Sequence, residues 1–181
     1  MQKNLFGAAA LVLAGCGAQD TLSSDAGAPV VPYEDAARAE VRTESGMTVS
    51  ISEGFVRPAA AGAASTAAYF TITADQLDEL TGARADGFAA VELHTVTEED
   101  GISRMRRIDG IDVIPGRLTS LRPGGKHLMM MGPDRALTEG DTVPVTLSFA
   151  SGAEAAVTLP VLRPAPGAAR DEGMGHEGMR H

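Results

Sequence analysis

The sequence predicts an all-β domain, and two features of the chain support this prediction. From Thr48 onward, short apolar runs rich in β-branched residues are separated by Gly, Pro and Asp, a pattern typical of strands joined by turns. The runs are closely spaced, which favours a β-sandwich or barrel. About 115 residues are enough for one such domain with its own core.

The predicted strands can be placed from the apolar runs, and the turns from Gly, Pro and Asp. The strands are expected at 48–52, 67–73, 86–95, 102–107, 117–121, 142–149 and 155–161. Turns are expected at 123–125 and 139–141, and a hairpin turn at 97–101. His94 is therefore expected to close one strand, and Met105 to lie on the next.

The candidate metal-binding residues are His94, Met105, His127 and Met129, which form the pattern H-x10-M-x21-H-x-M. Thioether sulfur is a soft, uncharged ligand that selects monovalent copper, and imidazole accepts several transition metals. The set therefore indicates a Cu(I) site. The alternative is that Met129, Met130 and Met131 fill an irregular core, which is the common use of Met.

Strand geometry shows how these ligands could meet. His127 and Met129 are separated by one residue, so in an extended segment they point to the same side. Leu128 and Met130 are then expected on the inward face, and the four ligands near one end of the barrel. Met131 shares the parity of Met129, but it is not counted as a ligand.

The same residues carry a family resemblance. The matching segments are AAYFTI at 67–72, VELH at 91–94, DGISRMRRI at 100–108, LRPGGKHLMMMG at 121–132 and LTEGDTVPVTLSF at 137–149. Together with the His and Met pattern, they resemble the periplasmic copper chaperones called PCu(A)C over about residues 48–163.

The resemblance implies a fold and a function. The implied fold is a cupredoxin-like Greek-key β-barrel or sandwich. The implied function is that of a Cu(I)-binding metallochaperone, with no enzymatic activity, that delivers copper for cytochrome c oxidase assembly. The implied partners are oxidase subunit II, with its binuclear copper site, or a Sco-type copper protein.

The N-terminus is predicted to be an export signal. Lys3 is followed by a short apolar stretch and by Leu13-Ala14-Gly15-Cys16, which resembles a bacterial lipobox. Residues 1–16 are expected to form this lipoprotein-type signal, and cleavage before Cys16 would leave Cys16 to carry lipid and anchor the protein to a membrane in the bacterial periplasm. The alternative is a plain signal peptide with an incidental cysteine. Cys16 is the only cysteine, which excludes a disulfide framework.

Two segments flank the expected copper-binding domain at 47–163. Residues 17–46 are expected to form a linker, rich in Ala, Gly, Ser, Asp and Pro at its start, in which 33–44 is either a short helix or more linker. Residues 164–181 are expected to form a disordered tail. The tail contains a candidate second metal site formed by Met174, His176, Met179 and His181, which could also hold Cu(II). The alternative is a solvated tail.

Charge and motifs exclude several function classes. The net charge of −9 argues against a nucleic-acid partner. The chain has no nucleophile elbow, phosphate loop or zinc-protease motif. An electron-transfer cupredoxin would need a Cys thiolate on the copper, and Cys16 belongs to the export signal. A copper-sequestering envelope lipoprotein without a specific delivery target stays open beside the chaperone.

Overall fold

Residues 36–163 are described by a computed structural model, and they contain eleven strands and no helix. Seven strands form one sheet: β1 (Ala37–Arg42), β2 (Thr48–Val56), β3 (Ser65–Ala74), β9 (His127–Pro133), β5 (Phe88–Glu99) and β6 (Ile102–Arg107) in spatial order, with β8 (Thr119–Leu121) paired to β3. The other sheet contains β11 (Glu154–Pro160), β10 (Thr142–Phe149), β4 (Asp78–Ala85) and β7 (Ile111–Val113). This part of the chain has no helix long and apolar enough to cross a membrane.

The two sheets enclose one main hydrophobic core. Burial alternates along β10 and β11, as expected for strands with one face on the core and the other in water. The buried residues include Phe70, Ile72, Leu93, Leu128 and Met130 from the larger sheet and Leu80, Val145, Leu147 and Leu159 from the smaller one. Each such side chain stabilises the fold by about 1.5–3 kcal/mol. The predicted all-β class is confirmed, as an open sandwich whose sheets do not close into a barrel.

Strand β9 lies inside the larger sheet, between β3 and β5, and pairs antiparallel with both. Leu128 and Met130 have no exposed surface and lie in the core. The alternation predicted for this segment is therefore confirmed. Met129, which lies between them, is half-buried and belongs to the opposite face.

The expectation of a helix or linker at 33–44 is wrong for 37–42, because these residues form β1 and pair with β2. Its small residues Ala37, Ala39 and Val41 pack against the core, while Arg38 and Glu40 are exposed. Ala is a poor strand former, so the period-two signal of this segment is weak. Within the described residues, the linker expected at 17–46 therefore ends before β1.

His94 does not close its strand, contrary to expectation. Strand β5 continues to Glu99 and pairs with β6 along this length. The hairpin turns at Asp100 and Gly101, whose φ angles of 54° and 74° match the Asp-Gly turns favoured in two-residue hairpins. The hairpin itself is confirmed, but His94 lies in the middle of a strand.

Met129 and Met130 offer a direct test of the opposite faces of β9. Met130→Ala should lower the free energy of unfolding by about 2–5 kcal/mol, because it leaves a cavity in a closely packed core. Met129→Ala should cost only about 1 kcal/mol, since this side chain is partly open to water. Urea denaturation of both variants measures the difference, and equal losses would contradict the assigned faces.

Candidate metal centre

The four predicted ligands lie on three neighbouring strands of the larger sheet. His127 and Met129 are on β9, His94 is on β5 and Met105 is on β6. Along the two ladders that join these strands, His94 pairs with His127, Glu92 with Met129, and Val96 with Met105.

These pairings put all four side chains on one face of the sheet. Residues directly opposite each other in an antiparallel ladder share a face, as do residues two apart along a strand. The intervening residues Leu93 and Leu128 are buried in the core. The face that carries the predicted ligands is therefore the outward face of the sandwich. His127 is the first residue of β9, whereas His94 lies in the middle of β5.

The two imidazoles form the centre of this face. Their ring centroids are 5.9 Å apart and their planes are tilted by 49°. The His127 residue is only 3% exposed, and the side chain of His94 is 15% exposed. The pair is thus shielded from water on the outside of the sheet.

Each imidazole is oriented by one hydrogen bond. The Nδ1–H of His127 donates to the carbonyl oxygen of Gly125 at 3.0 Å. The Nε2–H of His94 donates to the Glu92 carboxylate at 2.9 Å. These bonds leave His127 Nε2 and His94 Nδ1 with their lone pairs free.

The free nitrogen of His94 is buried and has no hydrogen-bond partner within the described structure. A buried polar atom without a partner costs about 1–3 kcal/mol. A metal ion bound to Nδ1 would satisfy this atom, and an imidazole whose other nitrogen is held by a carboxylate is a common arrangement around metals. The donor set therefore fits a metal ligand at His94.

The two methionines lie on opposite sides of the His pair along the strand direction. Each is diagonal to His94 in its ladder, a spacing of about 7–8 Å between Cα atoms that long side chains can bridge. Met129 is half-buried. Met105, on the edge strand β6, is 52% exposed, so it is the more open of the two sulfurs.

Within residues 36–163, no group of three or more His, Cys, Asp or Glu side chains is arranged to hold a metal ion. The thioethers of Met105 and Met129 are therefore the side chains that could complete a site around the two imidazoles. Thioether and imidazole together suit a soft monovalent ion such as Cu(I).

A charged pair lies beside the imidazoles. The hydrogen bond from His94 holds the pKa of Glu92 below its ordinary value. Partial burial of the carboxylate raises this pKa, and the nearby charge of Arg107 lowers it. Arg107 Nη1 is 3.4 Å from Glu92 Oε1. The carboxylate therefore keeps a negative charge next to the candidate site.

Aromatic rings cover the other flank. The Tyr69 ring centroid is 6.1 Å from that of His127, and Phe55 is 5.4 Å from Tyr69. These rings, with Ala67, form a second small apolar cluster against which Leu162 packs. No role for Phe55, Tyr69 or Glu92 was predicted from the sequence. For Glu92 a signal existed, since it precedes His94 by two residues and so shares its strand face.

The remaining predicted functional residues lie outside the described part of the chain. They are Cys16, Met174, His176, Met179 and His181.

Two curated relatives each match more than half of the chain. The protein named "Putative lipoprotein Lxx21020" from Leifsonia xyli is 31% identical over 116 residues, covering 62% of this chain and 69% of the relative. "Uncharacterized protein RP573" from Rickettsia prowazekii is 26% identical over 104 residues, covering 56% of this chain and 58% of the relative.

Solved structures share the fold. An apo PCuAC domain from PmoF1 has a TM-score of 0.55 at 18% identity, covering 70% of this chain and all of that domain. The copper-bound PCuAC domain from PmoF2 has a TM-score of 0.52 at 23% identity, covering 71% of this chain and 99% of that domain. These likenesses show a cupredoxin-like β-sandwich.

One solved structure is more similar in sequence. The Cu(I) form of DR1885 from Deinococcus radiodurans, solved in solution, is 30% identical with a TM-score of 0.50, covering 60% of this chain and 74% of that protein.

A family model also matches the chain. The model described as "Putative lipoprotein LpqE-like" matches residues 49–161, which is more than half of the 181-residue chain. The chain therefore belongs to the LpqE-like family.

Proposed function

We propose that this protein is a Cu(I)-binding metallochaperone of the bacterial periplasm. The observation that carries the proposal is the outward-facing pair of imidazoles, His94 and His127, 5.9 Å apart. Each has one nitrogen held by a hydrogen bond and the other free. Met105 and Met129 share their sheet face.

The proposed ligands suit copper as a cargo. Neutral imidazole and thioether donors bind Cu(I) without losing a proton themselves. They leave the positive charge of the ion on the complex, so an acceptor with anionic thiolate ligands would bind it more strongly. The function needs binding and transfer, and no covalent chemistry.

The likeness to DR1885 supports the choice of metal. That protein is solved with Cu(I) and is 30% identical to this chain. The shared identity and the matching sandwich make a common cargo the simplest interpretation.

The exposure of Met105 provides a route for release. It lies half-exposed on an edge strand, so a ligand from another protein can reach the metal from that side. Replacement of the thioethers, one at a time, would pass copper on while the buried imidazoles still hold it.

For the acceptor we propose cytochrome c oxidase subunit II or a Sco-type copper protein. The second candidate function is copper sequestration in the envelope, without a specific acceptor.

The proposed chain organisation follows from the first residues of the sequence. Cleavage before Cys16 would give a lipid-anchored protein, with the residues that follow it as a tether to the sandwich. The names of the LpqE-like family and of the Leifsonia relative, both called lipoproteins, support this location.

The C-terminal segment is proposed as a second copper-binding site, through Met174, His176, Met179 and His181. The last described residues support its involvement, because Leu162 packs against the cluster that contains Tyr69, beside His127. Leu162, just before the last described residue, therefore lies close to the main site. A short connection gives tethered ligands a high local concentration, so copper caught there could pass to the imidazoles. The His side chains of this segment could also hold Cu(II).

Anaerobic titration of Cu(I) against a chromogenic chelator tests the main site. His127→Ala and Met129→Ala should each weaken Cu(I) binding by at least about 10- to 100-fold, the loss typical even of residues that only orient a ligand. Met131→Ala is the matched control, since it lies on the same strand and face but is not a proposed ligand. Wild-type affinity in His127→Ala would overturn the site.

Delivery is tested by mixing the Cu(I)-loaded protein with the apo soluble domain of oxidase subunit II. A chaperone should lose its copper to the acceptor, which gains the absorption of a binuclear copper centre upon oxidation. Retention of copper, with binding otherwise intact, would favour sequestration.

A chain shortened after Arg163 tests the C-terminal segment. We expect the bound copper per protein to fall while the affinity of the sandwich site stays unchanged, because the two sites use different residues. Analytical titration followed by metal analysis measures both quantities. An unchanged stoichiometry would leave the segment without a role in binding copper.

A further inference from the structure

Glu92 lies among the proposed copper ligands without belonging to them. It precedes His94 by two residues on the same face of β5, and it pairs directly with Met129 on β9. Its side chain is 30% exposed. The carboxylate is therefore close to the site and partly shielded from water.

The two carboxylate oxygens of Glu92 have different partners. Oε2 accepts the hydrogen bond from His94 Nε2 at 2.9 Å, and Oε1 is 3.4 Å from Nη1 of Arg107. Arg107 is also the ladder partner of His94 on β6. The arginine thus holds the carboxylate from the side of the edge strand and favours the orientation that faces the imidazole.

A carboxylate anion accepts hydrogen bonds and donates none, so its contact with Nε2 fixes the proton of the neutral imidazole on that nitrogen. The lone pair of His94 must then be on Nδ1. This nitrogen is buried and has no hydrogen-bond partner in the described structure.

We propose that Glu92 is a positioning residue that holds His94 in the Nε2–H tautomer and makes Nδ1 the copper-binding atom. His127 has the opposite arrangement, because Gly125 holds its Nδ1–H and leaves Nε2 free. The two imidazoles would thus bind one ion through different nitrogens. The role of Nδ1 as the copper-binding atom rests on the proposed Cu(I) site. The assignment of the His94 tautomer concerns the metal-free protein.

Glu92 would also supply the negative charge that the four neutral ligands lack. A carboxylate bonded to a ligating imidazole raises the basicity of that ligand, and loss of such a partner typically costs about 10- to 100-fold in metal affinity. Gln keeps an acceptor oxygen and lacks the charge, whereas Ala lacks both. The two substitutions therefore separate orientation from charge.

The first measurement is nitrogen-15 NMR of the imidazoles in the metal-free full chain at mildly alkaline pH. Wild type should show His94 only with its proton on Nε2, protected from exchange with water. Glu92→Gln should keep this state. Glu92→Ala should lose the protection and show signals of both tautomers. Glu98→Ala, an exposed position on the same strand, is the control and should match wild type.

The second measurement is Cu(I) affinity of the same variants. We expect Glu92→Ala to bind about 10- to 100-fold more weakly than wild type, with Glu92→Gln between them and Glu98→Ala unchanged. Wild-type His94 protonated on Nδ1, or a Glu92→Ala spectrum identical to that of wild type, would overturn the inference. Equal losses for Gln and Ala with unaltered tautomers would also overturn it, since Glu92 would then act as a copper ligand. If wild type binds no Cu(I), the proposed function fails, but the NMR measurement still tests the tautomer of His94 independently.

Discussion

The two-residue alternation of β9 is the constraint on which the metal site depends. One face of this strand inserts Leu128 and Met130 into the core, and the other face presents His127 and Met129 outward. A slip by one residue would exchange the faces and expose the apolar pair. The core thus fixes the register of β9, and the pairing of His94 with His127 follows from it.

The candidate metal site also requires each of the two imidazoles to keep one nitrogen free. Gly125 and Glu92 meet it in different ways, one with a backbone carbonyl and the other with a carboxylate. The backbone contact is fixed by the chain entering β9. The carboxylate contact depends on a side chain, and Arg107 stabilises it from β6. Of the two candidate ligands His94 and His127, His94 is therefore the one whose orientation depends more on neighbouring side chains.

The sequence predicted the all-β class, the hairpin before Met105 and the alternation at His127, because each depends on local chemistry. It did not predict β1 or β4, since Ala, Gly and charged residues fill most positions there and only tertiary pairing makes them strands. The position of His94 in the middle of a strand was also missed. It depends on β5 continuing past His94, which pairing with β6 decides. The shielding of His127 by Tyr69 depends on a third strand, so local spacing does not reveal it.

The edge position of β6 explains how an exposed thioether can be kept available without promoting aggregation. Edge strands with exposed apolar side chains invite pairing with other chains, and charged residues prevent it. On β6, Met105 and Ile102 are both more than half exposed. Three exposed arginines lie on the same strand: Arg104 between Ile102 and Met105, and Arg106 and Arg107 directly after Met105. Exposed charged side chains on this edge disfavour pairing with another chain, so Met105 can remain exposed without the sheet extending to a neighbouring molecule.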